Sequence, residues 1–70
     1  MRPETLERMV NQVAANAGSD RDGAVGRVAT HLRTFWTPDM IADLADFAST
    51  GAVHLTDVAD AALAQVRSNP

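Results

Sequence analysis

The sequence predicts an all-α fold, a small single-domain bundle of about four short helices spanning residues 1–70. Three observations carry this. Four segments repeat apolar residues with a period near 3.6, and none alternates apolar and polar residues strictly, as a half-buried strand would. Pro3, Gly18, the Thr37-Pro38 pair and Gly51 punctuate those segments at their ends. In a chain of 70 residues, two separate cores would each fall below the roughly 40 residues at which disulfides or metals become necessary.

Residues 3–17 form the first helix. Leu6, Met9, Val10, Val13, Ala14 and Ala17 share one face, while Asn11 and Gln12 lie off it. Pro3 suits the first turn, Glu4 complements the helix dipole, and Glu4 and Arg8 are spaced as an i,i+4 ion pair. Gly18 ends the helix in the left-handed conformation. Ser19 then caps a second helix, with Asp20 and Asp22 in its first turn. Gly23 and Gly26 leave that first turn optional, after which Val25, Val28, Ala29, Leu32, Phe35 and Trp36 make the stripe.

Pro38 disfavours helical geometry at Thr37, so the second helix stops there. Thr37 caps a third helix with Pro38 in its first position. This helix runs to about Thr50. Met40, Ile41, Leu44, Ala45 and Ala48 face inward, Asp39, Asp43 and Asp46 face mostly outward, and Phe47 sits at the edge of the stripe. Gly51 closes it. Ala52-Val53-His54-Leu55 is a connector with two buried side chains. Thr56 caps the fourth helix, whose stripe is Val58, Ala59, Ala62, Leu63 and Val66, with Arg67 at the negative end. Residues 68–70 form a frayed tail.

Composition excludes several functions. There is no cysteine, hence no disulfide, thiolate zinc site or cysteine-ligated iron–sulfur cluster. The net charge of −3 and the pI near 5.0 argue against nucleic acid, which needs clustered basic residues. A helix-turn-helix reader is further disfavoured by Asp39, Asp43 and Asp46 after the corner. All six basic residues are arginine, so every cationic contact is a planar guanidinium. No apolar run reaches the roughly 18 residues of a membrane span, and no signal core follows Met1, so the chain reads as cytoplasmic without a membrane partner. Alanine supplies much of the apolar content, beside two Phe and one Trp. The core is therefore thin, contributing on the order of 3–5 kcal/mol, which leaves self-association of the isolated chain open.

Catalytic patterns fail in turn. The glycines lack the strand context and lysine of a phosphate loop, no serine sits in an elbow motif, and His31 and His54 lack metal-binding spacing. No catalytic, cofactor or metal residue is assigned. Unusual residues concentrate in His31-Leu32-Arg33-Thr34-Phe35-Trp36-Thr37-Pro38-Asp39-Met40. Adjacent helical residues diverge by about 100°, so Phe35 and Trp36 cannot both be fully buried. Phe35 is expected as the core anchor and Trp36 as part-exposed at an interface, a core Trp36 being the alternative. Arg33 is either solvated or half of an interface hot spot shared with Trp36. His31 is a surface or half-buried histidine, or a ligand-binding one. The aspartates of the third helix are a solvated face or a strip for basic partner residues.

That motif and Leu6-Glu7-Arg8-Met9-Val10-Asn11-Gln12-Val13 resemble the delta subunit of cytosolic NAD-dependent formate dehydrogenases. Those subunits carry a His-Leu-Arg-Arg-Phe-Trp-x-Pro-x-Met motif and a Met-Ala-Asn-Gln-Ile-like helix. The chain resembles them over about residues 5–66, departing at Thr34 and Val10. The resemblance implies a non-catalytic subunit that assists assembly, maturation or stabilisation of a complex oxidising formate with NAD. Molybdenum or tungsten pterin, iron–sulfur clusters and flavin would sit on other subunits, with no cofactor on this chain. Its partner would be the large catalytic subunit, met through Arg33, Trp36, His31, Pro38 and Met40. The alternative is a standalone helical adaptor or self-associating structural protein.

Overall fold

Local signals set each helix end in the computed structural model, which describes residues 2–68. α1 (Pro3–Ala15) opens on its proline with Glu4 in the first turn, and Leu6, Val10 and Ala14 are buried along one face. α2 (Arg21–Phe35), α3 (Pro38–Thr50) and α4 (Asp57–Ser68) follow, and no strand occurs among the described residues. Thr37 caps α3 as its position before Pro38 predicts, its Oγ1 accepting the Met40 N–H at 3.2 Å. Thr56 caps α4 in the same way, accepting the Ala59 N–H at 3.3 Å. Gly51 takes a left-handed φ of 80°. The Ala52 N–H then reaches back to the Phe47 carbonyl at 2.9 Å, the backbone closure that only glycine makes without strain.

Three helix boundaries and one ion pair differ from the sequence reading. α1 ends at Ala15, two residues early, where Asn16 Nδ2 donates to the Gln12 carbonyl at 3.0 Å and competes with a further turn. Gly18 still takes a positive φ of 107°. α2 is capped by Asp20 rather than Ser19, its carboxylate accepting the Gly23 N–H at 3.1 Å. That bond fixes the first turn, so Gly23 and Gly26 lie inside a regular helix. Glu4 faces Arg2 at 4.0 Å rather than pairing with Arg8. Of the expected frayed tail, Ser68 belongs to α4, its hydroxyl donating to the Gln65 carbonyl at 3.3 Å. Asn69 and Pro70 lie outside the described residues.

α2 and α4 form the main packed pair, α1 touches all three other helices, and α3 leans chiefly on α1. The fully buried centre is small and aliphatic: Leu6, Val10, Val28, Leu32 and Leu44. Val53 from the connector is buried too, and Leu55 is partly covered, as predicted. On α3 only Leu44 is fully buried. Met40, Ile41, Ala45, Phe47 and Ala48 cover the core from one side and keep part of their surface exposed. The Cα radius of gyration is 10.8 Å, against about 11 Å for a compact chain of this length.

A polar clip fixes the α3–α4 connector. Asn11 Nδ2 donates to the His54 carbonyl at 2.9 Å, and Asn11 Oδ1 accepts the Thr56 N–H at 3.0 Å. Glu7 Oε1 accepts the His54 N–H at 3.2 Å. One face of α1 therefore satisfies three connector backbone groups that no helix could. Next to the clip, Arg21 at the start of α2 holds Asp57, the first residue of α4, in a two-pronged ion pair, with Nη2 to Oδ1 at 3.2 Å. The hydrogen bond from Arg21 holds the Asp57 carboxyl below its ordinary range.

Candidate partner-docking surface

The motif segment forms the end of α2 and the corner into α3, and there the two aromatics exchange their expected roles. Trp36 is 6% exposed and belongs to the core, whereas Phe35 is 71% exposed. The cause is where the helix ends. Phe35 is the last helical residue and stays on the outer face. Trp36 is extended, with φ −96° and ψ 142°, so the 100° offset of successive helical side chains no longer governs it. Its N–H still donates to the Leu32 carbonyl at 3.0 Å. With the backbone turning there toward Pro38, the indole joins Leu32 and Leu44 in the core.

Phe35 rests on His31 one turn earlier, ring centroids 4.8 Å apart and tilted by 44°. The pair presents an aromatic surface on the outside of α2. An exposed phenylalanine of this degree is a poor use of apolar surface in a thin-cored chain unless something covers it.

Two open grooves of about 530 Å³ each flank the buried indole, and Trp36 lines both. One lies between α1 and α2, walled by Met9, Val13, Arg27 and His31. Its α1–α2 end is closed by Arg27, whose Nε donates to the Ala17 carbonyl at 2.6 Å. The guanidinium lies where side chains on Gly18 and Gly23 would project, so both glycines are spaces it fills. The second groove is framed by the end of α2, the first turns of α3 and the end of α4, with Arg33, Pro38, Ile41, Val66 and Arg67 around Trp36.

The expected contact residues are thus only partly brought together: Arg33 and Pro38 share one groove with Trp36, His31 lines the other, and Met40 lines neither. Arg33 and Pro38 are exposed, His31 and Met40 are half-buried, and Trp36 is a floor rather than a projecting anchor. Arg33 reaches the Gln65 carbonyl with Nη2 at 3.5 Å, a distance at the limit of a hydrogen bond. Most of its donors stay available. Sequence reasoning missed Phe35, Val66 and Arg67 as members of this surface. Arg67 had signal only as a cation at a helix end, and its meeting with Arg33 follows from the packing of α2 on α4. The side chains here are suited to recognition: guanidinium forks, an aromatic face and an apolar trough. No cluster of three or more His, Asp or Glu able to hold a metal occurs among the described residues. Among the described residues no helix is long and apolar enough to cross a membrane.

The family model for the NADH-dependent formate dehydrogenase delta subunit FdsD matches residues 5–63. That span runs from the first turns of α1 through the clip, the motif corner and most of α4. No curated protein and no solved structure matches the chain.

Proposed function

Because the chain belongs to the delta-subunit family of NADH-dependent formate dehydrogenases, we propose that it acts as a non-catalytic subunit that assembles or stabilises that complex. The single observation carrying the proposal is the family match over residues 5–63. The chain works in the cytoplasm and carries no cofactor of its own. Its partner is the large catalytic subunit, and contact runs through His31, Arg33, Pro38 and Met40 around the Trp36 floor, with Phe35 added to them. An exposed aromatic, Phe35, and an under-used arginine, Arg33, in the same motif support this, because aromatic and arginine side chains dominate interface energetics.

The experiment is co-expression of the other subunits with and without the tagged chain. Expected is recovery of the large subunit with the tag, and a lower yield of assembled enzyme when the chain is omitted. Turnover per assembled complex should stay unchanged. A changed turnover per complex would contradict a non-catalytic role, and failure to recover the large subunit would remove the proposed partner.

A further inference from the structure

The groove framed by α2, α3 and α4 has a charge out of keeping with the rest of the molecule. The chain holds nine acidic residues against six basic ones, yet no carboxylate lines this groove while Arg33 and Arg67 both do. Neither arginine forms an ion pair among the described residues. Between them the trough is apolar, with Trp36, Pro38, Ile41 and Val66 on its floor and walls. Two guanidinium forks at the edge of an apolar trough complement a chain segment that alternates carboxylates with an apolar side chain. The neighbouring α3 face, with Asp39, Asp43 and Asp46 exposed, would repel such a segment elsewhere and so bias it toward the groove.

We infer that this groove receives an acidic segment of a partner subunit. One apolar side chain of the segment seats against Trp36, Ile41 and Val66, and flanking carboxylates meet Arg33 and Arg67. This deepens the delta-subunit reading and rests on it. It also accounts for Arg67, in the last turn of α4, lining the same groove as Arg33, which helix-end electrostatics alone does not require.

Ala42 gives a test that leaves the core intact, since it is exposed on α3 and also lines the groove. The full-length chain, as wild type, Ala42→Glu and Ala42→Lys, is co-expressed with the other formate dehydrogenase subunits, and its affinity for them is measured. Far-UV circular dichroism confirms that each variant is folded. Ala42→Glu places a carboxylate against the acidic segment and should weaken association by at least about tenfold. Ala42→Lys adds at least as much bulk as glutamate but carries the opposite charge, and should retain it. The effect of Ala42→Glu should grow as salt is lowered, because it acts through a partly screened charge.

If wild type does not associate, the delta-subunit reading itself fails. If wild type associates and both variants bind as well as it does, the groove is not the docking site and the inference is overturned. Equal weakening by both variants would show a steric contact without the acidic partner, overturning the stated chemistry. Should the isolated chain dimerise in sedimentation, with Ala42→Glu abolishing the dimer and sparing the complex, a second copy occupies the groove instead.

Discussion

Replacing Asn11 with alanine removes the clip that ties the α3–α4 connector to α1. Two bonds go: Nδ2 to the His54 carbonyl at 2.9 Å and the Thr56 N–H to Oδ1 at 3.0 Å. Each contributes a net of about 0.5–1.5 kcal/mol. All the groups lie at exposed positions, where water partly replaces the lost partners, so the loss is about 1–2 kcal/mol. For a domain of this size each kcal/mol moves the melting temperature by roughly 4–8 °C, giving an expected drop of roughly 5–15 °C. The connector also sets where α4 begins, so Val66 and Arg67 depend on the clip for their place beside Trp36. The assay is thermal unfolding by far-UV circular dichroism, with amide exchange at Thr56 as the local readout. Asn16→Ala is the control, because its side chain bonds only to the Gln12 carbonyl of its own helix. That change should stay within about 0.5 kcal/mol. Equal melting of the two variants, or unaltered Thr56 exchange in Asn11→Ala, would refute the clip.

Truncating Trp36 to alanine should cost about 3–5 kcal/mol, as much as the core of so small a domain supplies, and circular dichroism should show the chain unfolded. Phe35→Ala, at a 71% exposed position, should melt within about 0.5 kcal/mol of wild type yet weaken recovery of the complex. A cooperative melt in Trp36→Ala would contradict its place in the core. Gly26→Ala should raise stability by about 1 kcal/mol, since a Cβ there meets nothing within 4 Å. Gly23→Ala should fall short of that gain, because its Cβ would lie 2.7 Å from the Asp20 carboxylate that caps the helix; chemical denaturation of both variants decides it. Asp57 is held below its ordinary pKa first by the hydrogen bond from Arg21. The stability it contributes is therefore complete above the unfolded value of about 3.9 and is lost as pH falls through the folded value. Acid unfolding of Asp57→Asn should lack that part of the pH dependence, and a carboxyl NMR titration of Asp57 with an unshifted midpoint would contradict it.

The helices were legible because their limits are local. Thr37 and Thr56 cap amides three residues ahead, and Gly51 closes a turn within five, so nearby sequence contains the whole interaction. The cap of α2 was misplaced by one residue, on Ser19 instead of Asp20, since the choice turned on which side chain meets the Gly23 N–H. The Phe35–Trp36 exchange came from one residue of helix length. A pitch argument holds while both residues are helical, and Trp36 is not. Asn11 read as an outer-face residue because its partners lie 43 and 45 positions further along the chain. The groove was hidden for a similar reason: Arg33 and Arg67 come to line it together through α2 packing on α4, while the local pattern paired Arg33 only with Trp36 and read Arg67 as a helix-end charge.

Hydroxyl-radical footprinting of the chain, free and bound to the large subunit, reports side chains directly and tests partner docking at the motif end. In the free chain Phe35 should oxidise readily, as its exposure requires, and Trp36 should react slowly. In the complex Phe35, His31 and Pro38 should lose reactivity together, while Phe47 and Leu55 keep theirs. Full reactivity of Phe35 in the bound chain, with protection confined to Phe47 or Leu55, would contradict docking through this surface.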